Sequence, residues 1–257
     1  TNQMLGMLGP AVAGMIAVWL GARQIFFLDG ATFIIAAFLI ISIPRQELQK
    51  GVTVKSQKTA DTWRNIIKGI RLLFGNKILR FALAFEFIAS IAGGMVLVNT
   101  IGHIKNGLSL DDKYYGWVMT AFAIGAAVSA FLLGTLDKTK TRSFSLISGA
   151  FVLGLSTCFA NYVPYGALMV LWVLAGMGQS LAVMPSETLI AENIVPENQG
   201  KVYGSHYSFS HLWWAIAYVV AGFLGTNFPE REFLYGGLIT LVLAVIALFI
   251  LKPKLKS

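Results

Sequence analysis

Long apolar runs separated by short polar connections dominate this chain. A helix needs about 20 mostly apolar residues to cross a hydrocarbon core about 30 Å thick, and eight runs approach that length. These runs cover residues 4–20, 24–43, 81–103, 115–136, 144–161, 165–187, 205–226 and 232–251. The pattern predicts an all-α, polytopic membrane helical bundle. Small residues at helical spacing in the fourth run, Ala126, Ala130 and Gly134, predict close contact with a neighbouring helix.

One polar stretch, residues 44–80, interrupts the apolar runs. Its second part carries apolar side chains at i, i+3, i+4 and i+7 spacing, which predicts an amphipathic helix. The apolar positions are Trp63, Ile66, Ile67, Ile70, Leu73 and Phe74, and the basic ones are Arg64, Lys68 and Arg71. Such a helix can lie at the membrane interface against anionic headgroups. It can equally be a connector that packs on the inner face of the bundle.

Composition supports the membrane interpretation. Of the 257 residues 56% are hydrophobic and 12% are charged, whereas soluble domains carry about 25% charged residues. The formal net charge of +8 does not indicate a nucleic-acid partner, because the basic residues lie between apolar runs rather than on one basic face. The expected surroundings are a lipid bilayer. The single cysteine, Cys158, excludes an internal disulfide and a thiolate metal cluster.

The distribution of basic residues predicts the orientation, because Lys-rich and Arg-rich loops stay cytoplasmic. Sixteen basic residues fall on one side of the predicted spans and four on the other. The first group is Arg45, Lys50, Lys55, Lys58, Arg64, Lys68, Arg71, Lys77, Arg80, Lys138, Lys140, Arg142, Lys201, Lys252, Lys254 and Lys256; the second is Arg23, Lys105, Lys113 and Arg231. Both ends of this segment are therefore expected in the cytoplasm, with the helices in the cell membrane, as for a bacterial inner-membrane protein.

Two spans, a basic loop and six further spans form an unusual arrangement. Many transporters consist of two similar six-helix halves joined by a cytoplasmic loop. We therefore expect residues 1–43 to be the last two helices of an N-terminal half, 44–80 the central loop with its amphipathic helix, and 81–257 the C-terminal half. On this interpretation about eight of twelve transmembrane helices are present. The partners of this segment then include the missing N-terminal helices of the same protein.

Four stretches carry a family resemblance. They are Gly9-Pro10-Ala11-Val12-Ala13-Gly14, Trp63 to Phe87, Gly107 to Arg142, and Val195 to Gly204. In order and spacing they resemble the C-terminal two-thirds of a major facilitator superfamily transporter, in the exporter branch that includes macrolide-efflux and enterobactin-exporter-like proteins. The last stretch is similar to the loop that joins the tenth and eleventh helices in that branch.

The resemblance implies roles for two of these motifs. Gly9, Pro10 and Gly14 match the fifth-helix motif that marks exporters, although simple close packing of glycines is an alternative. A second-half copy of the cytoplasmic gate loop is implied for Gly134, Asp137, Lys138 and Arg142, where Gly134 lies one residue too close to Asp137. A solvated tight turn is the alternative interpretation there.

Ionisable residues inside spans are costly and are functional candidates. Glu86 lies about two turns into its span, where a carboxyl group can exchange protons, so it is our first candidate for proton coupling or for binding a cationic substrate. The alternative places it in a water-filled vestibule, paired with a lysine or arginine. Asp29 lies about one turn into its span from the outer side and can instead reach the interface.

Further candidates for coupling or for the substrate pathway lie in the last spans. His206 and His211 are near the cytoplasmic end of one span, and their spacing does not place them on one face, so no metal site is expected. His211, Trp213 and Gln179 are the pathway candidates. Packing against a neighbouring helix is the alternative for Trp213. Glu192 is expected to be solvated.

The function implied is secondary active transport. Phosphate-binding loops, paired-histidine zinc motifs and nucleophile-elbow motifs are absent from the sequence, so an enzyme is not expected. The resemblance implies efflux of a small amphipathic molecule, such as a drug, a macrolide or a siderophore, by alternating access. The proton gradient would supply the energy, with no cofactor. The alternatives are a nutrient importer of the same superfamily and a membrane-embedded enzyme.

Overall fold

A computed structural model describes residues 22–42, 59–136 and 142–251 of the chain. Helices make up nearly all of this part. They are α1 (Ala22–Ile41), α2 (Thr59–Gly75), α3 (Lys77–Gly102), α4 (Lys113–Leu136), α5 (Arg142–Phe159), α6 (Tyr165–Val183), α7 (Pro185–Asn193), α8 (Pro196–Asn227) and α9 (Glu232–Leu251). A π-helix, His103–Gly107, continues α3, and a short 3₁₀ helix, Ala160–Tyr162, follows α5.

Six segments in the described part are long and apolar enough to cross a membrane. They contain α3, α4, α5, α6 with α7, α8 and α9, and they coincide with the last six apolar runs. The prediction of a polytopic, all-α bundle is therefore confirmed. The second run, 24–43, corresponds to α1, whereas the first, 4–20, lies outside the described residues.

Capping and proline residues define where the helices begin. The Asn76 side chain accepts hydrogen bonds from the backbone N–H groups of Ile78 (2.9 Å) and Leu79 (3.3 Å), and so separates α2 from α3. Pro185 begins α7 directly after a turn at Met184. Pro196 is the first residue of α8, a position where its fixed φ favours the helix. The interpretation of residues 195–204 as a loop is therefore wrong, since all but the first belong to α8.

The bundle is organised around α3, which is the most deeply buried span and packs against α5, α6, α7, α8 and α9. Its two ends lie in different clusters of buried side chains. One cluster joins Leu79, Leu146, Leu189 and Val202, at the end where α3, α5 and α8 begin, which we call the α7 end. The other lies at the opposite, π-helix end and includes Ile104, Ala160, Trp172 and Phe233.

Glycines allow α6 to approach its neighbours closely. A Cβ atom at Gly176 of α6 would overlap the backbone carbonyl of Phe122 in α4, and it would lie 2.9 Å from the backbone nitrogen of Ala126. On the other side of α6, a Cβ at Gly178 would lie 2.6 Å from the backbone nitrogen of Leu153 in α5. Because only glycine fits at such contacts, the α4–α6 and α5–α6 interfaces depend on these two residues.

The amphipathic helix α2 packs along the first turns of α8. Gly69 faces the Lys201 carbonyl and the Ser205 hydroxyl, and the Phe74 ring meets the Phe209 ring edge-on at 5.0 Å. Trp63 of the same helix remains exposed, as do Ile66 and Ile67. The helix is thus a connector that packs on the bundle, and a membrane role for its exposed side stays a prediction.

Candidate functional site

A carboxyl–imidazole pair lies inside the bundle, between α3 and α8. Glu86 Oε2 and His206 Nε2 are 2.7 Å apart, and the two residues are 2% and 8% exposed. The partner of Glu86 is therefore a histidine, and not the lysine or arginine that the alternative interpretation required. Each charge alone would be costly within the membrane, and the direct contact between them offsets part of that cost.

Nearly equal distances from the two helix starts bring this pair together. Both α3 and α8 begin at the α7 end, at Lys77 and Pro196 respectively. Glu86 therefore lies nine residues into its helix and His206 ten residues into its own, so a rise of 1.5 Å per residue puts both about 14 Å from the helix starts. The loop interpretation of residues 195–204 hid this match, because it placed His206 at the edge of the span.

Chemically, this pair can hold a variable number of protons. A carboxylate beside a protonated imidazole is neutral overall, a further proton on Glu86 makes the pair cationic, and loss of the imidazole proton makes it anionic. Each change alters the attraction between Glu86 and His206, and hence between α3 and α8. Proton binding at Glu86 Oε2 or His206 Nε2 can thus change the contact between two spans.

The polar positions continue along the same face of α3. Ser90, one turn beyond Glu86, donates its hydroxyl to the Phe87 carbonyl at 2.7 Å and faces the Trp213 carbonyl at 3.3 Å. The half-buried Trp213 ring packs against Phe87 (4.8 Å between centroids) and Phe209 (5.7 Å). Its buried Nε1–H has no hydrogen-bond partner in the described part of the chain.

Gln179 of α6 adds a polar group one turn further along. It is 3% exposed, and its buried Oε1 has no hydrogen-bond partner among the described residues. Gly93 of α3 makes room for it, since a Cβ there would lie 2.5 Å from this oxygen and 2.9 Å from the Trp214 ring. The amide therefore presents an available acceptor beside the same face of α3.

His211 does not belong to this arrangement. Its side chain is exposed, its Nδ1 lies 2.9 Å from the Tyr207 carbonyl, and its ring stacks on Tyr207 at 4.0 Å. The histidine that contacts Glu86 is His206, and not His211. Within the described residues no cluster of three or more His, Cys, Asp or Glu side chains could hold a metal ion.

Of the predicted gate loop, only part is described. Arg142, the first residue of α5, is buried and forms an ion pair with Glu192 of α7, whose side chain is exposed as predicted. Gly134 lies in the last turn of α4, and its surroundings are not described. Asp137 and Lys138 lie outside the described residues, as do Gly9, Pro10 and Gly14. Asp29 lies in α1, and its side chain is also outside the described part.

Replacing Arg142 by Gln should lower the free energy of unfolding in detergent by about 1–3 kcal/mol, the usual cost of losing a charged hydrogen-bonding partner. The Arg142 side chain is 8% exposed and that of Glu192 is 36% exposed, so solvent screening keeps the effect in this range. Glu192→Gln and the double variant complete a cycle. A loss in the double variant smaller than the sum of the single losses is expected. Additive losses would contradict a direct Arg142–Glu192 interaction, and Arg80→Gln, at an exposed position, is the control.

Comparisons with known proteins agree with this architecture. The family model of the Major Facilitator Superfamily matches residues 83–257. A multi-drug resistance efflux pump PmrA homolog from Lactococcus lactis is 23% identical over 95% of this chain and 60% of its own length. Multidrug resistance protein MdtG from Proteus mirabilis is 24% identical over 89% of this chain and 56% of its own length. The galactose-proton symporter of Escherichia coli is 27% identical over 66% of this chain and 36% of its own length. The chain spans about half the length of the curated relatives it matches.

Proposed function

Because the chain belongs to the Major Facilitator Superfamily, a family of membrane transporters, we propose that it works in proton-coupled efflux of a small amphipathic organic molecule by alternating access. Membership makes it a multi-pass membrane protein and not an enzyme. The efflux direction is supported by a relative named as a multi-drug resistance efflux pump, which aligns with 95% of the chain, and by one named as a multidrug resistance protein, which aligns with 89%. The resemblance of Gly9, Pro10 and Gly14 to the exporter motif points the same way.

The second candidate is an importer that couples uptake to protons. A relative named as a galactose-proton symporter favours it, but that similarity covers a smaller part of the chain. Efflux remains the preferred direction for this reason. Both candidates use the proton gradient and need no bound cofactor.

The Glu86–His206 pair is the single observation that carries proton coupling. It combines two titratable groups at 2.7 Å, nearly full burial, and a position between two spans. A proton that arrives at Glu86 Oε2 removes the negative charge that attracts His206. The contact between α3 and α8 weakens, and the bundle can then close on one side of the membrane and open on the other. When the proton leaves, the pair re-forms and the cycle can restart.

Gln179 and Trp213 are proposed to contact the substrate on the same face of α3. The Gln179 amide oxygen can accept a hydrogen bond from a donor group, and the Trp213 ring offers an apolar surface beside its own N–H donor. A molecule with an apolar body and one or more polar groups suits both. This chemistry is the reason for proposing an amphipathic substrate.

The α7 end is proposed to face the cytoplasm of a bacterial cell, because most basic loop residues lie on that side. The segment 81–257 would be the C-terminal half, joined through the loop 44–80 to the helices of residues 1–43 and to further N-terminal helices of the same protein. Gly134, Asp137, Lys138 and Arg142 would form the cytoplasmic gate loop. The Arg142–Glu192 ion pair would hold α5 and α7 together at this gate.

Inverted membrane vesicles test this function. Cells expressing the complete coding sequence that contains this chain supply the vesicles, and an amphipathic fluorescent dye is the probe. Acidifying the vesicle interior should drive dye accumulation, and a protonophore should abolish it. Vesicles without the protein are the control. Uptake of the dye into right-side-out vesicles, with no accumulation in inverted ones, would contradict efflux and favour the importer.

A further inference from the structure

A second buried carboxyl–imidazole pair lies at the π-helix end of the bundle. His103, the first residue of the π-helix, and Glu232, the first residue of α9, are 7% and 2% exposed. His103 Nδ1 and Glu232 Oε1 are 3.8 Å apart, which is longer than a hydrogen bond. The two groups therefore face each other without forming a closed contact.

Each partner also has a buried polar atom without a hydrogen bond. His103 Nε2 and Glu232 Oε2 have no hydrogen-bond partner in the described part of the chain. A pair that served only to clamp two helices would be expected to satisfy both side chains, since an unsatisfied buried polar group costs about 1–3 kcal/mol. Because His103 Nε2 and Glu232 Oε2 have no hydrogen-bond partner among the described residues, either group can instead bind one more proton.

The surrounding residues hold this pair in place without neutralising it. The Asn161 side chain accepts hydrogen bonds from the backbone N–H groups of Phe233 (3.0 Å) and Leu234 (3.1 Å), which fixes the start of α9 beside Glu232. The Phe233 ring meets the His103 ring edge-on at 5.4 Å. Gly107 is required on the other side, because a Cβ there would lie 2.8 Å from His103 Nδ1. π-helical turns of this kind often occur at functional sites.

The other charged and titratable groups at the π-helix end either contact other residues or are exposed. On the π-helix, Lys105 is exposed and pairs with Asp112 at 3.0 Å. Glu230 and Arg231, which precede α9, are exposed. Three tyrosines near this end contact other aromatic rings: Tyr114 of α4 packs on Tyr165 of α6, and Tyr235 of α9 packs on Phe228. From the 3₁₀ helix, the Ala160 backbone interacts with the His103 ring and the Asn161 side chain interacts with Glu232, and both groups are uncharged.

We propose that His103 and Glu232 form a second proton-binding site, which exchanges protons with the outer side of the membrane. The inference rests on the proposed proton-coupled transport. The central span then carries one site near each end: His103 lies 17 residues beyond Glu86, a separation of about 25 Å by helical rise. A proton enters at Glu232 Oε2 or His103 Nε2 when the outer side is open. Its arrival changes the attraction between α3 and α9, just as a proton at Glu86 changes that between α3 and α8.

Proton counting on the purified full-length protein tests this site without requiring transport. The protons released in a pH titration are compared for the wild type and the Glu232→Gln, His103→Gln and Glu230→Gln variants. We expect Glu232→Gln to lower the count by about one proton per molecule over the titrated range. Glu230→Gln is the matched control, because Glu230 is an exposed carboxyl group that lies outside the pair. An unchanged count in both Glu232→Gln and His103→Gln, in folded protein, would overturn the proposal.

Transport measurements then separate this inference from the proposed function. In vesicles, Glu232→Gln should flatten the dependence of efflux on outer pH while the dependence on cytoplasmic pH persists. If the wild type shows no proton-driven efflux, the proposed function fails, yet the proton count still decides whether the second site exists. A lower melting temperature with an unchanged proton count would show a structural clamp instead. His103→Gln gives an independent test if Glu232→Gln does not fold.

Discussion

Replacing Glu86 by Gln is expected to lower proton-driven transport by about 100-fold or more, the range typical for losing a positioned proton-transfer group. The amide has nearly the same shape as the carboxyl group but cannot gain or lose a proton. Its contact with His206, which is 2.7 Å long in the native protein, would no longer change during the cycle. The dye-accumulation assay in inverted vesicles measures this loss directly.

The same variant should keep the steps that do not need a proton. A glutamine resembles the protonated carboxyl group, so exchange of labelled for unlabelled dye at equal proton concentration should persist, and its rate should depend less on pH than in the wild type, with His206 still able to bind a proton. Glu197→Gln is the matched control, because Glu197 is an exposed carboxylate in the first turn of α8. Unchanged coupling in a folded Glu86→Gln protein would remove Glu86 from the mechanism.

His206 provides an independent check of the same pair. If the two residues act as a unit, His206→Gln should also uncouple transport, and the double variant should be no worse than either single one. His211→Gln is the control for histidine chemistry, since its side chain is exposed and contacts Tyr207. Losses that multiply in the double variant would show that Glu86 and His206 act separately.

Replacing Gly176 by Ala is expected to destabilise the bundle by about 1–3 kcal/mol or more, because an added methyl group overpacks a tight interface. The new Cβ would overlap the Phe122 carbonyl, which belongs to the backbone of α4 and cannot rotate away. The helices α4 and α6 must then separate, and contacts along their whole length weaken. A lower melting temperature and a smaller monodisperse fraction in detergent are the measurements.

Gly166→Ala in the same helix is the matched control for this effect. No atom lies within 4 Å of the position that a Cβ would take at Gly166. Since Ala has a higher helix propensity than Gly, this variant should be as stable as the wild type or slightly more stable. Equal melting temperatures for Gly176→Ala and Gly166→Ala would contradict the close α4–α6 contact.

The positions of the spans were predictable because their signal is local. Apolar runs of about 20 residues are recognisable without knowing what they pack against, and the last six runs coincide with the six spans in the described residues. The predicted run 165–187 did not show the break between α6 and α7 at Pro185. Pro196 was ambiguous in sequence, since proline is common both in loops and in the first turn of a helix.

The candidate site was predictable only in part. Glu86 stood out because a carboxyl group is rare inside an apolar run. His206 and His211 were indistinguishable in sequence, being five residues apart in one span, and only the start of α8 decides which of them meets Glu86. Glu232 and His103 lie at the ends of their spans, where charged residues are usually solvated, so their burial had no sequence signal.

The sequence by itself determined the helical class, the positions of the spans and the family resemblance, because each depends on residues close together in the chain. The tertiary structure alone decided which ionisable groups are paired. Glu86 and His206 are 120 residues apart, and His103 and Glu232 are 129 apart, so their meeting depends on how α3, α8 and α9 pack. That packing follows from glycine contacts and buried volume, which no local pattern records.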